Sequence, residues 1–96
     1  MRLSREYRKI IKENSTSVFG KNTRVYLFGS RVDDRKKGGD IDLFVETDDH
    51  KDMLGKKIQY IARLNMLLGE QRIDVLISKD RNRPIEKIAR AQGILL

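Results

Sequence analysis

Two apolar segments, and the short distance between them, constrain the fold more than any other feature of this sequence. Residues 23–29 (TRVYLFG) and 40–46 (DIDLFVE) are rich in β-branched and aromatic residues, which favours buried strands. The polar segment between them, residues 31–39, is too short for the packed helix of a parallel crossover. We therefore expect the two strands to be antiparallel neighbours in one sheet.

Helical patterns lie on both sides of this pair of strands. Residues 2–14 have a single apolar stripe, and STSVFGKN (15–22) is expected to end that helix in a turn. A longer amphipathic helix follows the acidic turn TDDHKD (47–52) and ends near Gly69. Its apolar residues recur at steps of three and four: Leu54, Ile58, Ile61, Leu64 and Leu68.

The remaining elements complete one small domain. RIDVLIS (72–78) reads as a third strand, and Pro84 opens a short helix that ends near Gly93. The order of elements is helix, strand, loop, strand, helix, strand, helix. It predicts a domain of mixed α/β (α+β) class, in which helices flank a small mixed sheet. A chain of 96 residues is enough for one such domain, residues 1–96, with one core.

Composition limits the kinds of partner and the cellular compartment that we expect for this chain. The formal net charge of +7 favours a nucleotide, a nucleic acid or an acidic protein as partner, although a solvated basic surface explains it equally well. The absence of cysteine excludes disulfides and cysteine-ligated zinc. No apolar run approaches the roughly 18 residues of a membrane span, and the first residues lack a signal-peptide pattern. We expect a cytoplasmic protein without a membrane partner.

Two aspartates in the second strand are the first candidates for chemistry. Asp40 and Asp42 stand two residues apart, so both side chains leave the same face of the strand. Two neighbouring carboxylates repel each other, but a divalent cation between them makes the arrangement favourable, and Mg²⁺ prefers such oxygen ligands. Asp74 interrupts the third strand and would complete a three-carboxylate site if that strand lies beside the second.

The pair Gly29-Ser30, at the end of the first strand, is the candidate for phosphate binding. A glycine lets the backbone approach a ligand closely, and the Ser30 hydroxyl and nearby amides can donate to phosphate oxygens. Arg31 follows and could contact a triphosphate. The charged loop Asp33–Lys37 contains both signs, so its effect on a phosphate is open.

These motifs together resemble those of a known superfamily. Gly29-Ser30, nine further residues and Asp40-Ile41-Asp42 resemble the nucleotidyltransferase superfamily related to DNA polymerase beta, and Asp74 falls where that superfamily carries its third carboxylate. The short chain looks like the minimal branch, the MNT proteins. The resemblance implies the polymerase beta-like nucleotidyltransferase fold and Mg²⁺-dependent transfer of a nucleoside monophosphate from a triphosphate, with release of pyrophosphate.

The resemblance also implies a partner and residue roles. MNT proteins are often antitoxins paired with a HEPN-domain toxin, and some add AMP from ATP to a tyrosine of that toxin. By this resemblance Gly29, Ser30 and Arg31 contact the nucleotide. Asp40 and Asp42 ligate metal, and Asp74 ligates metal or acts as the base for the acceptor hydroxyl.

Simpler explanations and other functions remain open at this stage. The strand aspartates could be solvated, Ser30 could be a turn residue, and Asp74 could pair with a nearby arginine. The protein could also be a non-catalytic antitoxin that acts by binding, or could modify a small molecule or an RNA end. RNA is less favoured because no aromatic stacking platform is evident. For His50, a capping or solvent role is favoured over catalysis.

Overall fold

The computed structural model of the chain describes residues 4–29, 41–69, 72–80 and 82–96. Within these ranges it contains three helices and four strands, which confirms the predicted α+β class. In chain order they are α1 (Arg5–Phe19), β1 (Arg24–Phe28), β2 (Ile41–Glu46), α2 (Met53–Leu68), β3 (Ile73–Ile77), α3 (Pro84–Gln92) and β4 (Ile94–Leu95).

The strands form one mixed sheet in the order β3-β2-β1-β4. β1 is antiparallel to β2, as the short connection predicts, and β3 lies on the other side of β2 and parallel to it. The final strand β4 is antiparallel to β1 and was not predicted. A two-residue strand has too little sequence pattern to be recognised, and this one exists because its backbone pairs with β1.

Helices α1 and α2 pack on one face of the sheet and enclose the core. Phe19 and Tyr60 meet edge to face with ring centroids 5.3 Å apart. The Tyr60 hydroxyl donates to the Ile11 carbonyl at 3.0 Å, which joins α2 to α1. The buried strand side chains on this face are Val25, Leu27, Ile41, Leu43, Val45, Ile73, Val75 and Ile77.

Helix α1 is longer than the sequence pattern predicts. It continues to Phe19, five residues beyond the apolar stripe of residues 2–14, so the helix ends within residues 15–22 as predicted, but at Gly20 rather than at the start of that segment. Within this extension the hydroxyls of Ser15 and Thr16 donate to the Lys12 carbonyl one turn back, so these polar groups are satisfied inside the helix. Burial of Phe19 against the core stabilises the last turn.

The apolar side of α2 is divided between the core and the surface. Leu64 and Leu68 are buried as the stripe predicts, but Leu54 is 71% and Ile58 60% exposed. Tyr60, four residues before Leu64, lies on the buried face in their place. Neither α2 nor another helix in the described ranges is long and apolar enough to cross a membrane.

Helix α3 covers part of the opposite face of the sheet. Arg90 lies over the ring of Phe44, 5.2 Å from its centroid, and its Nε donates to Glu46 at 2.6 Å. Both contacts are at the carboxyl-terminal half of β2. In the part of the chain that the structure describes, no helix covers this face at the amino-terminal end of β2, where Asp42 lies.

Candidate functional site

One row of side chains crosses the sheet at the end that α3 leaves uncovered. Phe28 of β1 is paired with Asp42 of β2, and Asp42 is paired with Asp74 of β3. Paired residues on adjacent strands point to the same face and lie on strands about 4.8 Å apart. The structure therefore brings Asp42 and Asp74 together. The predicted carboxylate site required β3 to lie beside β2, and it does.

Gly29 lies directly against this row. Its φ of +78° is left-handed, and a Cβ built at Gly29 would collide with the carboxylate of Asp42. A glycine is therefore required here for two reasons, the backbone conformation and the space. The sequence predicted a close approach of the backbone to a phosphate, and the contact that the structure shows is with a carboxylate.

The two carboxylates differ in exposure. Asp42 is half-buried, whereas the side chain of Asp74 is 61% exposed. The Nε of Arg72 lies 4.0 Å from Oδ2 of Asp74, and the Arg72 side chain is more exposed still. A surface ion pair at this distance contributes little to stability. The geometry thus allows Asp74 to pair with Arg72, but such a pair is a weak reason for an aspartate at this position.

Several predicted site residues lie outside the described residues. They are Ser30, Arg31, Asp40 and the charged loop Asp33–Lys37, so their roles stay predictions. His50 is described, and its Nε2 lies 2.9 Å from the Ser78 carbonyl at the other end of the sheet. That contact ties the acidic turn after β2 to the residue after β3, and the favoured capping or solvent role of His50 stays a prediction.

A family comparison agrees with this geometry. Residues 4–94 match the family model of the nucleotidyltransferase domain. The chain belongs to the nucleotidyltransferase domain family. Comparison with curated proteins gives no significant match. The superfamily predicted from the motifs is thus confirmed, and with it nucleotidyl transfer as the general activity.

Nucleotidyltransferases generally use a nucleoside triphosphate and a divalent metal, and the donor set of this nucleotidyltransferase domain suits such a metal. Asp42 and Asp74 provide carboxylate oxygens on one face, the ligand type that Mg²⁺ prefers. A third acidic or histidine side chain does not join them within the described ranges. Asp40, the remaining member of the predicted three-carboxylate site, precedes β2 directly and is not among the described residues.

A polar cavity of about 620 Å³ lies at the opposite end of the sheet of this nucleotidyltransferase domain. Glu46 lines it and stands four residues beyond Asp42, roughly 13 Å along the strand. Of the predicted site residues, those that the structure describes (Gly29, Asp42 and Asp74) do not line this cavity. The carboxylate row, where the described acidic candidates lie, is therefore separate from this cavity.

The wall of this cavity contains a buried carboxylate, Glu86 of α3. Its Oε2 accepts from the backbone amides of Lys79 at 2.9 Å and Asp80 at 3.0 Å. Arg83 and Arg90 lie 3.0 and 3.3 Å from its oxygens. Burial by itself raises the pKa of Glu86, but the amide donors and the two guanidinium groups outweigh it, so the pKa lies below its ordinary value. Glu86 thus ties α3 to the turn after β3.

Sequence reasoning did not identify Phe28 or Glu86. Phe28 reads as an ordinary strand residue, and its place beside Asp42 depends on the register between β1 and β2. Glu86 occupies the first turn of a helix, where an acidic residue is normally exposed and favoured by the helix dipole. Its burial depends on the fold of the turn that it binds.

Proposed function

We propose that this nucleotidyltransferase domain transfers AMP from ATP to a hydroxyl group of a partner protein. The observation that carries the proposal is the pairing of Asp42 with Asp74 across β2 and β3, with Gly29 packed against Asp42. Two carboxylates beside a glycine without a side chain to fill the space suit a reaction that needs both metal ligation and close access to phosphates.

The residues have distinct roles in the proposed reaction. Asp42 holds the divalent cation together with Asp40, and the backbone at Gly29-Ser30 and the side chain of Arg31 contact the phosphates. When bound, the cation neutralises charge on the phosphate oxygens. Asp74 lies at the more exposed end of the row, where an acceptor can reach it, and takes up the proton of the acceptor hydroxyl.

The bonds and protons of this step balance. The acceptor oxygen attacks the α-phosphorus of ATP and forms a new oxygen–phosphorus bond. The bond from that phosphorus to the oxygen bridging to the β-phosphate breaks, and pyrophosphate leaves with the bond's electron pair. The proton of the hydroxyl passes to the carboxylate of Asp74 and then to solvent.

For the partner we propose a HEPN-domain toxin modified on a tyrosine, with this protein as its antitoxin. The resemblance of the motifs to MNT proteins motivates this choice. The apolar residues that α2 exposes support a protein partner, and the net charge of +7 is compatible with an acidic one; these residues are Leu54, Ile58, Met66 and Leu67.

Label transfer tests the proposal. The protein is incubated with Mg²⁺ and ATP labelled on the α-phosphate, with and without the protein encoded by the adjacent gene. We expect label on that protein with the wild type and none with Asp42→Asn. The matched control Asp48→Asn changes an exposed aspartate at the far end of the sheet and should transfer normally. Label on RNA or a small molecule instead would contradict the protein acceptor.

The exposed face of α2 favours one second candidate, an antitoxin that acts by binding alone. Leu54 and Ile58 stand one helical turn apart and are both largely exposed, as expected of a contact surface. Under this hypothesis the Asp42→Asn protein still binds and silences its partner. An Asp42→Asn protein that binds the partner but fails to silence it would contradict this candidate.

A further inference from the structure

Among the described residues, no strand pairs with the outer edge of β3. Within the described ranges β3 is a terminal strand of the sheet, with β2 on its inner side. On its inner side, the Ile41 amide donates to the Arg72 carbonyl and the Ser78 amide donates to the Val45 carbonyl, both at 2.9 Å. In a parallel ladder alternate residues bond to the same neighbour. The even-numbered residues of β3 therefore face β2, and the amides and carbonyls of Ile73, Val75 and Ile77 face outward.

This edge lacks the features that usually prevent pairing. Natural edge strands are protected by proline, by lysine, by bulges or by very short length. β3 has five residues, IDVLI, with neither proline nor lysine among them, and it pairs with β2 without a bulge. Asp74 is its one charged residue, and it belongs to the candidate site rather than to a protective pattern.

The edge is also where the row of site residues ends. The row runs from Phe28 through Asp42 to Asp74, so a further strand would place its next residue beside Asp74. Paired positions share a face in either strand direction, and their Cβ atoms lie about 5 Å apart. A hydroxyl-bearing residue at that position would be adjacent to the carboxylate that takes up its proton.

We propose that β3 pairs through its free edge with an extended segment of about five residues from the acceptor protein, which delivers the hydroxyl to Asp74. This inference rests on the proposed function, and it specifies how the partner docks. Main-chain hydrogen bonds to Ile73, Val75 and Ile77 hold the segment in register. The acceptor residue is the one opposite Asp74.

Charge favours such a segment over a second copy of this chain. Two copies would bring together net charges of +7 each, and pairing two β3 strands would put both Asp74 carboxylates on one face, which is unfavourable. Arg72 and Lys79, which flank β3, are both exposed and basic. The segment that fits is therefore one with acidic residues on either side of its hydroxyl residue.

Amide hydrogen exchange measured by NMR tests the docking without requiring the chemistry. The probe is the purified product of the adjacent gene, unlabelled, added to the ¹⁵N-labelled protein in its Asp42→Asn form. We expect exchange at Ile73, Val75 and Ile77 to slow by at least about tenfold, with Asp74 and Leu76 unchanged because β2 already protects them. The edge remains protected even if no label is ever transferred, which separates this proposal from the proposed function.

Proline substitution provides the second measurement. Val75→Pro removes an outward amide and no bond to β2, a position where edge strands tolerate proline. Val75→Ala is its matched control, because it also reduces the buried side chain but keeps the amide. We expect Val75→Pro to reduce binding by about tenfold or more relative to Val75→Ala, and circular dichroism verifies that both fold.

Three results would overturn the proposal. One is a complex in which the protected amides lie on α2 while Ile73, Val75 and Ile77 exchange as before. Another is equal binding by the two Val75 variants, or no complex at all. The last is edge protection that appears without the probe and rises with protein concentration, because the occupant would then be a second copy.

Discussion

At the scale of single residues, the fit of Gly29 against Asp42 is a defining feature of the candidate site. The glycine occupies left-handed backbone at the end of β1, and its missing side chain leaves the space in which the carboxylate of Asp42 lies. The chain contains a matched comparison at Gly69, which has φ +87° and nothing within 4 Å of a Cβ added there.

Gly29→Ala and Gly69→Ala separate these two requirements. Each substitution places a Cβ on left-handed backbone and should cost about 1 kcal/mol of unfolding free energy. Only Gly29→Ala displaces the Asp42 carboxylate, so only it should abolish nucleotidyl transfer. Urea unfolding and label transfer measure the two effects. Equal transfer by the two variants would contradict a role for this contact.

Asp74 can be tested against its ion-pair explanation in the same way. Its side chain is largely exposed, so Asp74→Asn should leave stability unchanged while transfer falls by about 10²-fold or more. Arg72→Gln removes the other member of the 4.0 Å pair and should retain transfer, as measured by initial rates at saturating ATP. If both variants lost activity alike, Asp74 would act only through Arg72.

At the scale of elements, α2 shows how one helix can present two apolar surfaces. Leu54 and Ile58 form one face with helical spacing, and Tyr60, Leu64 and Leu68 form a second. Contacts with α1, above all the Phe19–Tyr60 pair, select the second face for the core. The first face is left at the surface, where a partner can reach it.

Paired substitutions in α2 test this division. Leu54→Gln should change the unfolding free energy by less than about 0.5 kcal/mol, because the side chain is already largely exposed. Leu64→Ala empties a fully buried position and should cost about 2–5 kcal/mol. Chemical denaturation provides both values, and a large loss for Leu54→Gln would mean that this residue is part of the core.

At the scale of the whole molecule, Glu86 connects α3, the turn after β3 and, through Arg90, strand β2. Because its folded pKa lies below the unfolded value of 4.5, its charge stabilises the folded state above that pH. The contribution is lost as the pH falls from about 5 through the lower folded pKa.

Glu86→Gln should therefore make the free energy of unfolding less dependent on pH under acidic conditions. At neutral pH we expect a loss of about 2 kcal/mol, because charged hydrogen bonds from two amides and two arginines are weakened. The difference in unfolding free energy between wild type and Glu86→Gln should become smaller as the pH falls below about 4.5. Urea titrations at several pH values measure it, with exposed Glu13→Gln as control. A deficit that stays constant with pH would contradict the assignment.

Much of this molecule follows from local sequence. Alternation of apolar residues predicted β1, β2 and β3, and Gly69, Pro84 and Gly93 marked helix ends that the structure confirms. The spacing from Gly29 to Asp42 and the aspartate in β3 indicated the superfamily. These features are local because hydrogen bonding within a helix, side-chain alternation in a strand and the freedom of glycine depend on near neighbours.

Tertiary structure decided the rest. The register that places Asp74 beside Asp42, the pairing of β4 with β1 and the buried face of α2 all depend on residues distant in the chain. So does the burial of Glu86, which no local pattern distinguishes from a solvated first-turn carboxylate. Each of these is a choice among arrangements that local sequence permits equally. Only the packing of the complete sheet and its helices makes one of them lowest in free energy.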